Sequence, residues 1–277
     1  MRLVRIAVVV LLCVCGAFYF WATARYNEAN DTQAPQIHCE NDYLRLSVED
    51  DPSALMQGLT ASDAQDGDLT GEILLAAKST FQDQEPGVFW ADYVVFDSHQ
   101  NFCQLTRKIH YTDYTSPEFG LSQPLIFSRG ENIRYLNYVT AHDVLDGDIS
   151  DQIKVLASDV SNYTAGTYPV LLEVSNSFGD TVQVELMVEV RDKNSHNVSI
   201  SLSQYLVYIA QGEAFDPYGM ISSVAGADGV RLPKENVRVL GTVDTQTPGC
   251  YQLIYSYTDN GNKGETRMTV VVTKEVA

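Results

Sequence analysis

An all-β fold, built as tandem β-sandwiches behind an N-terminal transmembrane helix, is what this sequence predicts, on three observations. The stretch "TASDAQDGDLTGEI" beginning at Thr60 returns 80 residues later as "TAHDVLDGDISDQI" beginning at Thr140, with seven of fourteen positions identical. Beyond residue 25 the hydrophobic residues alternate with period two in short runs separated by Asn, Asp and Gly, and no long helical period appears. A chain of 277 residues, 45% hydrophobic with 16 Tyr and 10 Phe, suits two or three folded domains rather than a disordered polymer. The 80-residue echo favours three.

The first element is the apolar one. Arg5 and Arg25 bracket 19 uncharged residues, "IAVVVLLCVCGAFYFWATA", and that many residues of helix, at about 1.5 Å each, nearly span a hydrocarbon layer of about 30 Å. Residues 6–24 are therefore expected to enter a membrane, and Phe18, Tyr19, Phe20 and Trp21 suit its outer interface. Arg2 and Arg5 place the N-terminus in the cytoplasm and the remaining chain outside, as a single-pass cell-membrane protein. The alternative is secretion after cleavage near Ala24, where "ATA" resembles a signal-peptidase site. A short polar stalk, residues 26–34, follows.

Three units come next, at residues 35–114, 115–193 and 194–277, divided where alternation stops near Ser116 and Ser195. Each opens with an alternating strand: "YLRLSV" from Tyr43, "PLIFSRG" from Pro124 and "YLVYIAQG" from Tyr205. Later in each unit a strand begins at Gly87, Gly166 or Gly249, and this alignment brings Phe89, Tyr168 and Tyr251 into register. Residues two apart share a strand face, so Phe89, Ala91, Tyr93 and Val95 form one stripe, with equivalents in the other units. A turn, "DSHQN", "NSFGD" or "DNGNK", then reverses the chain into a last strand, forming a hairpin. This rhythm predicts three immunoglobulin-like sandwiches, joined by linkers short enough for them to stack end to end as a semi-rigid rod.

The order "D-x-x-D-G-D-[LI]-[TS]-x-x-I", then "G-x-[FY]-x-V", then a glycine-containing turn and a final "V-x-V-x-D" strand resembles the bacterial immunoglobulin-like domain of the insecticidal crystal protein Cry22Aa type, which also occurs in many bacterial surface proteins. The second unit carries it best, with "DVLDGDIS", "AGTYPVLLEVSNSFGD" and "VEVRD". The first writes "DSHQN" where the family prefers a glycine, and the third keeps only Asp228 and Gly229 of the acidic turn. The resemblance implies a bacterial surface module and leaves its ligand open, because such modules serve as spacers, stalks and adhesive units.

Candidate sites are few. Asp63, Asp66 and Asp68, with Asp143, Asp146 and Asp148, could gather oxygen ligands for calcium, although their spacing departs from the EF-hand pattern. The alternative is a turn whose Asp side chains accept backbone N–H groups while Leu69 or Ile149 plugs the core. Cys39 and Cys103 fall near the first and last strands of the first unit and are a disulfide candidate in an oxidising compartment, whereas Cys250 suits a buried small hydrophobe. Glycosylation sequons stand at Asn30, Asn162 and Asn197. The five His residues, His38, His99, His110, His142 and His196, show no metal spacing, and no nucleophile motif is present, so no catalysis and no cofactor beyond calcium is expected. A net charge of −18 argues against nucleic acid as a partner. These features point to a non-catalytic adhesive or spacer protein at a bacterial cell surface, with an unknown protein or glycan partner. The alternative is a carbohydrate-binding or cell-wall accessory module, in which Tyr111 and Tyr114, or Tyr205, Tyr208 and Tyr218, would stack on sugars.

Overall fold

The structure, a computed structural model, describes residues 2–29, 32–82, 85–193, 196–259 and 261–274, without the side chains of 2–9 and 27–29. The sequon at Asn30 and the boundary at Ser195 lie outside the described residues. The chain divides into two compact units, Met1–Tyr114 and Thr115–Ala277. Helix α1 (Arg2–Ala29) opens the first. Among the described residues no helix is long and apolar enough to cross a membrane.

The first unit contains β1 (Gln36–Cys39), β2 (Tyr43–Leu46), β3 (Leu59–Asp63), β4 (Gly67–Asp68), β5 (Leu74–Lys78), β6 (Val88–Phe96) and β7 (Phe102–Tyr111). They form a three-stranded sheet in the order β1-β3-β4 and a four-stranded sheet in the order β2-β7-β6-β5. Strands β6 and β7 make the expected hairpin, and β2 joins β7 in parallel. The period-two reading holds on β6: Phe89, Ala91, Tyr93 and Val95 are fully buried, while Trp90, Asp92 and Phe96 face outward. Burying each large apolar side chain contributes about 1.5–3 kcal/mol, which fixes which face turns inward.

The second unit holds two further cores. Strands β8 (Glu118–Leu121), β9 (Ile126–Ser128), β10 (Val139–Asp143), β11 (Gly147–Asp148), β12 (Lys154–Ser158), β13 (Gly166–Ser175) and β14 (Thr181–Arg191) repeat the first pattern, as sheets β11-β10-β8 and β12-β13-β14-β9. Their inner faces enclose Val170, Leu172, Val174, Val184, Leu186 and Ile149. Strands β15 (Val198–Leu202), β16 (Leu206–Ala210), β17 (Ile221–Gly226), β18 (Val237–Leu240), β19 (Gly249–Asp259) and β20 (Asn262–Thr273) form sheets β15-β17 and β16-β20-β19-β18 around Leu253, Tyr255, Tyr257 and Val270.

These last two sandwiches do not behave as separate beads. Leu206 lies in the core of the β8–β14 sandwich, and Tyr208 and Val271 pack against it. Outward residues of β16 and β20 are apolar enough to bury on the neighbouring sandwich, and residues 115–277 form one compact unit.

Candidate functional site

The acidic turns sit between β3 and β5 and between β10 and β12, and each reaches the turn of its own sandwich's long hairpin. In the second sandwich Asp143 is 1% exposed. Its Oδ1 accepts the backbone N–H groups of Leu145 at 2.9 Å and Asp146 at 3.0 Å, and its Oδ2 accepts Asn176 Nδ2 at 3.2 Å. Asp146 accepts Ser177 N on Oδ2 at 2.5 Å and Ser177 Oγ on Oδ1 at 2.8 Å. Asp148 accepts Ser150 N at 3.0 Å. The first sandwich repeats this: Asp63 holds Gln65 N and Asp66 N at 2.7 and 3.0 Å, Asp66 holds Ser98 N and Oγ at 2.7 and 2.9 Å, and Asp68 holds Thr70 N at 3.0 Å. The motif is therefore a latch that joins one loop to the β6–β7 or β13–β14 turn.

The six carboxylates are spent on N–H and O–H donors rather than converging on one point, and no group of three or more His, Cys, Asp or Glu side chains suited to a metal ion occurs among the described residues. Hydrogen bonds from the backbone of Asp66 and Gln65 hold the Asp63 carboxyl below its ordinary range. Thr70 does the same for Asp68, and Ser150 for Asp148. Ile149 is 1% exposed in the core, as the turn reading requires, whereas Leu69 is only half-buried.

In the third sandwich Asp228 accepts Val230 N at 3.0 Å, and Gly229 takes φ +76°. Its hairpin is shorter, with Asp259 paired directly to Asn262, so the serine that would receive the latch has no counterpart there.

The other predicted positions are dispersed. Cys39 and Cys103 are free thiols rather than a disulfide. The first strand read from the sequence, from Tyr43, is β2, and it is the parallel neighbour of the last strand; Cys39 lies ahead of it on β1, which pairs with β3 in the opposite sheet. Cys250 is exposed, not a buried hydrophobe, and its Sγ lies 3.4 Å from Glu185 O. Of the tyrosines, Tyr114 is buried against Phe81 with ring centroids 4.7 Å apart, Tyr111 packs on Phe89 at 5.3 Å, and Tyr208 receives Phe119 N on its hydroxyl at 2.8 Å. Burial pushes the Tyr208 hydroxyl up to about 12. Tyr218 is exposed.

Sequence reasoning missed the contact between the second and third sandwiches. Glu189 on β14 lies between two guanidiniums: Arg191 on its own strand and Arg267 on β20, whose Nε is 3.1 Å away. Burial raises the Glu189 carboxyl, but hydrogen bonds and charge from Arg191 and Arg267 outweigh burial and hold it below the usual range. Arg191 also donates to Glu265 O at 2.7 Å, and Gln252 Nε2 to Glu185 O at 3.1 Å. Beside this contact a groove of about 590 Å³ runs between residues 118–122 and 202–208.

Comparison with known proteins places these sandwiches. Residues 204–272 match the family model of the bacterial surface protein, Ig-like domain. The chain is 28% identical over 225 residues to the pesticidal crystal protein Cry22Aa of Bacillus thuringiensis, covering 78% of this chain and 30% of that protein. It is 32% identical over 173 residues to an uncharacterized 81.3 kDa protein of Acholeplasma phage L2, covering 60% of this chain and 22% of that protein. The chain thus spans less than a third of either relative's length. A solved structure holding the M60 catalytic domain with CBM51-1 and CBM51-2 from Clostridium perfringens ZmpB aligns over 87% of this chain and 31% of that one, at 12% identity and a TM-score of 0.25, too loose a superposition to support an argument. The family model falls on the third sandwich, the one whose acidic turn departs most from the motif. The chain is accordingly similar to the bacterial surface protein, Ig-like domain, in its third sandwich and to Cry22Aa across most of its length.

Proposed function

We propose that this is a non-catalytic bacterial surface protein, anchored by residues 6–24 and holding immunoglobulin-like modules at residues 35–114, 115–193 and 194–277 outside the membrane for adhesion or spacing. The observation that carries the reading is the latch: the side chains best suited to chemistry, the repeated acidic turns, are hydrogen-bonded to their own hairpins and serve the fold. The bacterial surface model matched at residues 204–272 supports the location, and the anchor rests on the sequence alone, on the uncharged run of residues 6–24. A carbohydrate-binding role has less support, since Tyr111, Tyr114 and Tyr208 are engaged in packing.

The test is proteolysis of intact bacterial cells expressing the full chain, followed by alkaline washing of membranes. The reading predicts that protease releases fragments of the β-sandwiches while a fragment containing residues 6–24 stays with the membrane pellet. Protection of the sandwiches in intact cells, or recovery of the full chain in the soluble cell fraction, contradicts it.

A further inference from the structure

The outward face of the β2-β7-β6-β5 sheet in the first sandwich differs from the rest of the acidic surface. Its pairing register places Trp90, Lys108 and Tyr43 side by side across three strands. Trp90 and Tyr43 are each 40% exposed, and toward the other end Phe96, Phe102 and Leu74 are 47%, 53% and 55% exposed. The Phe96 and Phe102 rings are 5.8 Å apart. The Lys108 ammonium sits 5.7 Å from the Tyr43 ring centroid, and Glu85 Oε2 is 3.2 Å from that ammonium. Five large apolar side chains on one sheet face are more than the scattered exposure that a monomer's surface normally shows.

The third sandwich shows what this face is for. Aligning Gly87 with Gly249 makes Trp90, Lys108 and Tyr43 equivalent to Gln252, Thr269 and Leu206, which form the same row across β19, β20 and β16. That row is covered by the second sandwich: Thr269 is 3% exposed, Leu206 belongs to the second sandwich's core, and Gln252 bonds Glu185 O. One sandwich type thus docks through this face within the chain, and the first sandwich carries larger, more aromatic residues at the equivalent positions.

We infer that the outward β2-β7-β6-β5 face pairs the first sandwich with that of a second copy of this chain, face to face about a two-fold axis. Charge supports a copy as the occupant. With a net charge of −18 most of the surface repels another copy, but this face carries both signs, Arg45 and Lys108 with Asp92 and Glu85, and the Lys108 ammonium is paired with Glu85. A nine-residue strand at about 3.3 Å per residue and four strands about 4.8 Å apart give a face on the order of 500 Å². That is close to the roughly 600 Å² per partner at the lower end of specific interfaces, and it implies a concentration-dependent dimer.

The test is sedimentation equilibrium of the full chain in dodecyl maltoside, across a hundred-fold concentration range. The native chain is expected to move from monomer to dimer, and the W90S/K108E double variant to need at least ten-fold more protein to do so. F102S, at the other end of the face, keeps the test open if the double variant melts early; it is expected to weaken dimerisation while L156S, on the second sandwich, leaves it unchanged. A native chain that stays monomeric throughout, or a dimer indifferent to W90S/K108E and F102S alike, overturns the proposal.

Discussion

At the scale of single residues, the two hairpin turns differ by one position whose backbone decides its cost. In the second sandwich Asn176 Oδ1 accepts Phe178 N and Asp180 N while Gly179 takes φ +80°. In the first, Asp97 Oδ1 accepts His99 N and Asn101 N in the same way, but Gln100 occupies the left-handed position at φ +68°. A side chain with a Cβ is strained there by about 1–2 kcal/mol. Gln100→Gly is predicted to raise the first unit's stability by about 0.5–1 kcal/mol, the relief of strain being offset in part by glycine's greater freedom when unfolded. Denaturant unfolding checks this, and a lower midpoint for the variant would refute it. The departure from the glycine preference was legible in "DSHQN". Its backbone consequence was not, because Asn101 or His99 could equally have taken the positive φ.

Among elements, β7 raises the sharpest anomaly. Arg107 faces inward at 1% exposed, its Nη1 donates to Gln57 O at 2.6 Å, and its Nε is buried without a partner. The equivalent inward positions on β14 and β20 are Leu186 and Met268, both 1% exposed. Among the described residues no carboxylate pairs with Arg107; such a buried cation is costly, and an apolar side chain of similar volume commonly does better. Arg107→Met is therefore predicted to stabilise the first unit by about 1–2 kcal/mol, leaving Gln57 O to bond water. Thermal unfolding that shows a lower melting temperature for the variant would mean that the guanidinium holds something the apolar side chain cannot replace. Period-two alternation revealed the strands and their inner stripes, since burial of one sheet face is written directly into residue order. It did not reveal the inward Arg107, because alternation reads "TRKIHY" as a polar stretch with a single apolar residue. At the same scale, the strand read as first, from Tyr43, does neighbour the last one as β2, while Cys39 falls on a separate short strand, β1, that pairs with β3.

For the whole molecule, the bond between the second and third sandwiches rests on Glu189 between Arg191 and Arg267. The folded Glu189 carboxyl lies below its ordinary value of 4.5, so its contribution is fully present above about pH 4.5 and is lost as pH falls through the folded value. The melting temperature of the second unit is predicted to fall as pH drops below about 4.5 through the titration of Glu189. In Arg267→Gln the fall should be shallower, because one of the two favourable charges is already gone. A stability that drops as pH rises from 4.5, or a variant with an unchanged profile, contradicts this. Such contacts were illegible in the sequence because they join residues roughly 80 positions apart, on outward positions that alternation treats as solvent-facing. The repeated acidic turn was legible as a repeat, whereas the hairpin serines that receive it, Ser98 and Ser177, were not.

The central claim is that this repeated turn is a latch that stabilises a surface module. Its most direct test is the thermal unfolding of the full chain in detergent, native and Asp146→Ala, each with calcium and with chelator. Losing two hydrogen bonds to a carboxylate should cost the variant about 1–3 kcal/mol, and the same lowering should appear with calcium and with chelator, neither of which shifts the native transition. If calcium instead raises the native melting temperature, and Asp146→Ala abolishes that rise, the turn is a metal site and the latch account is wrong.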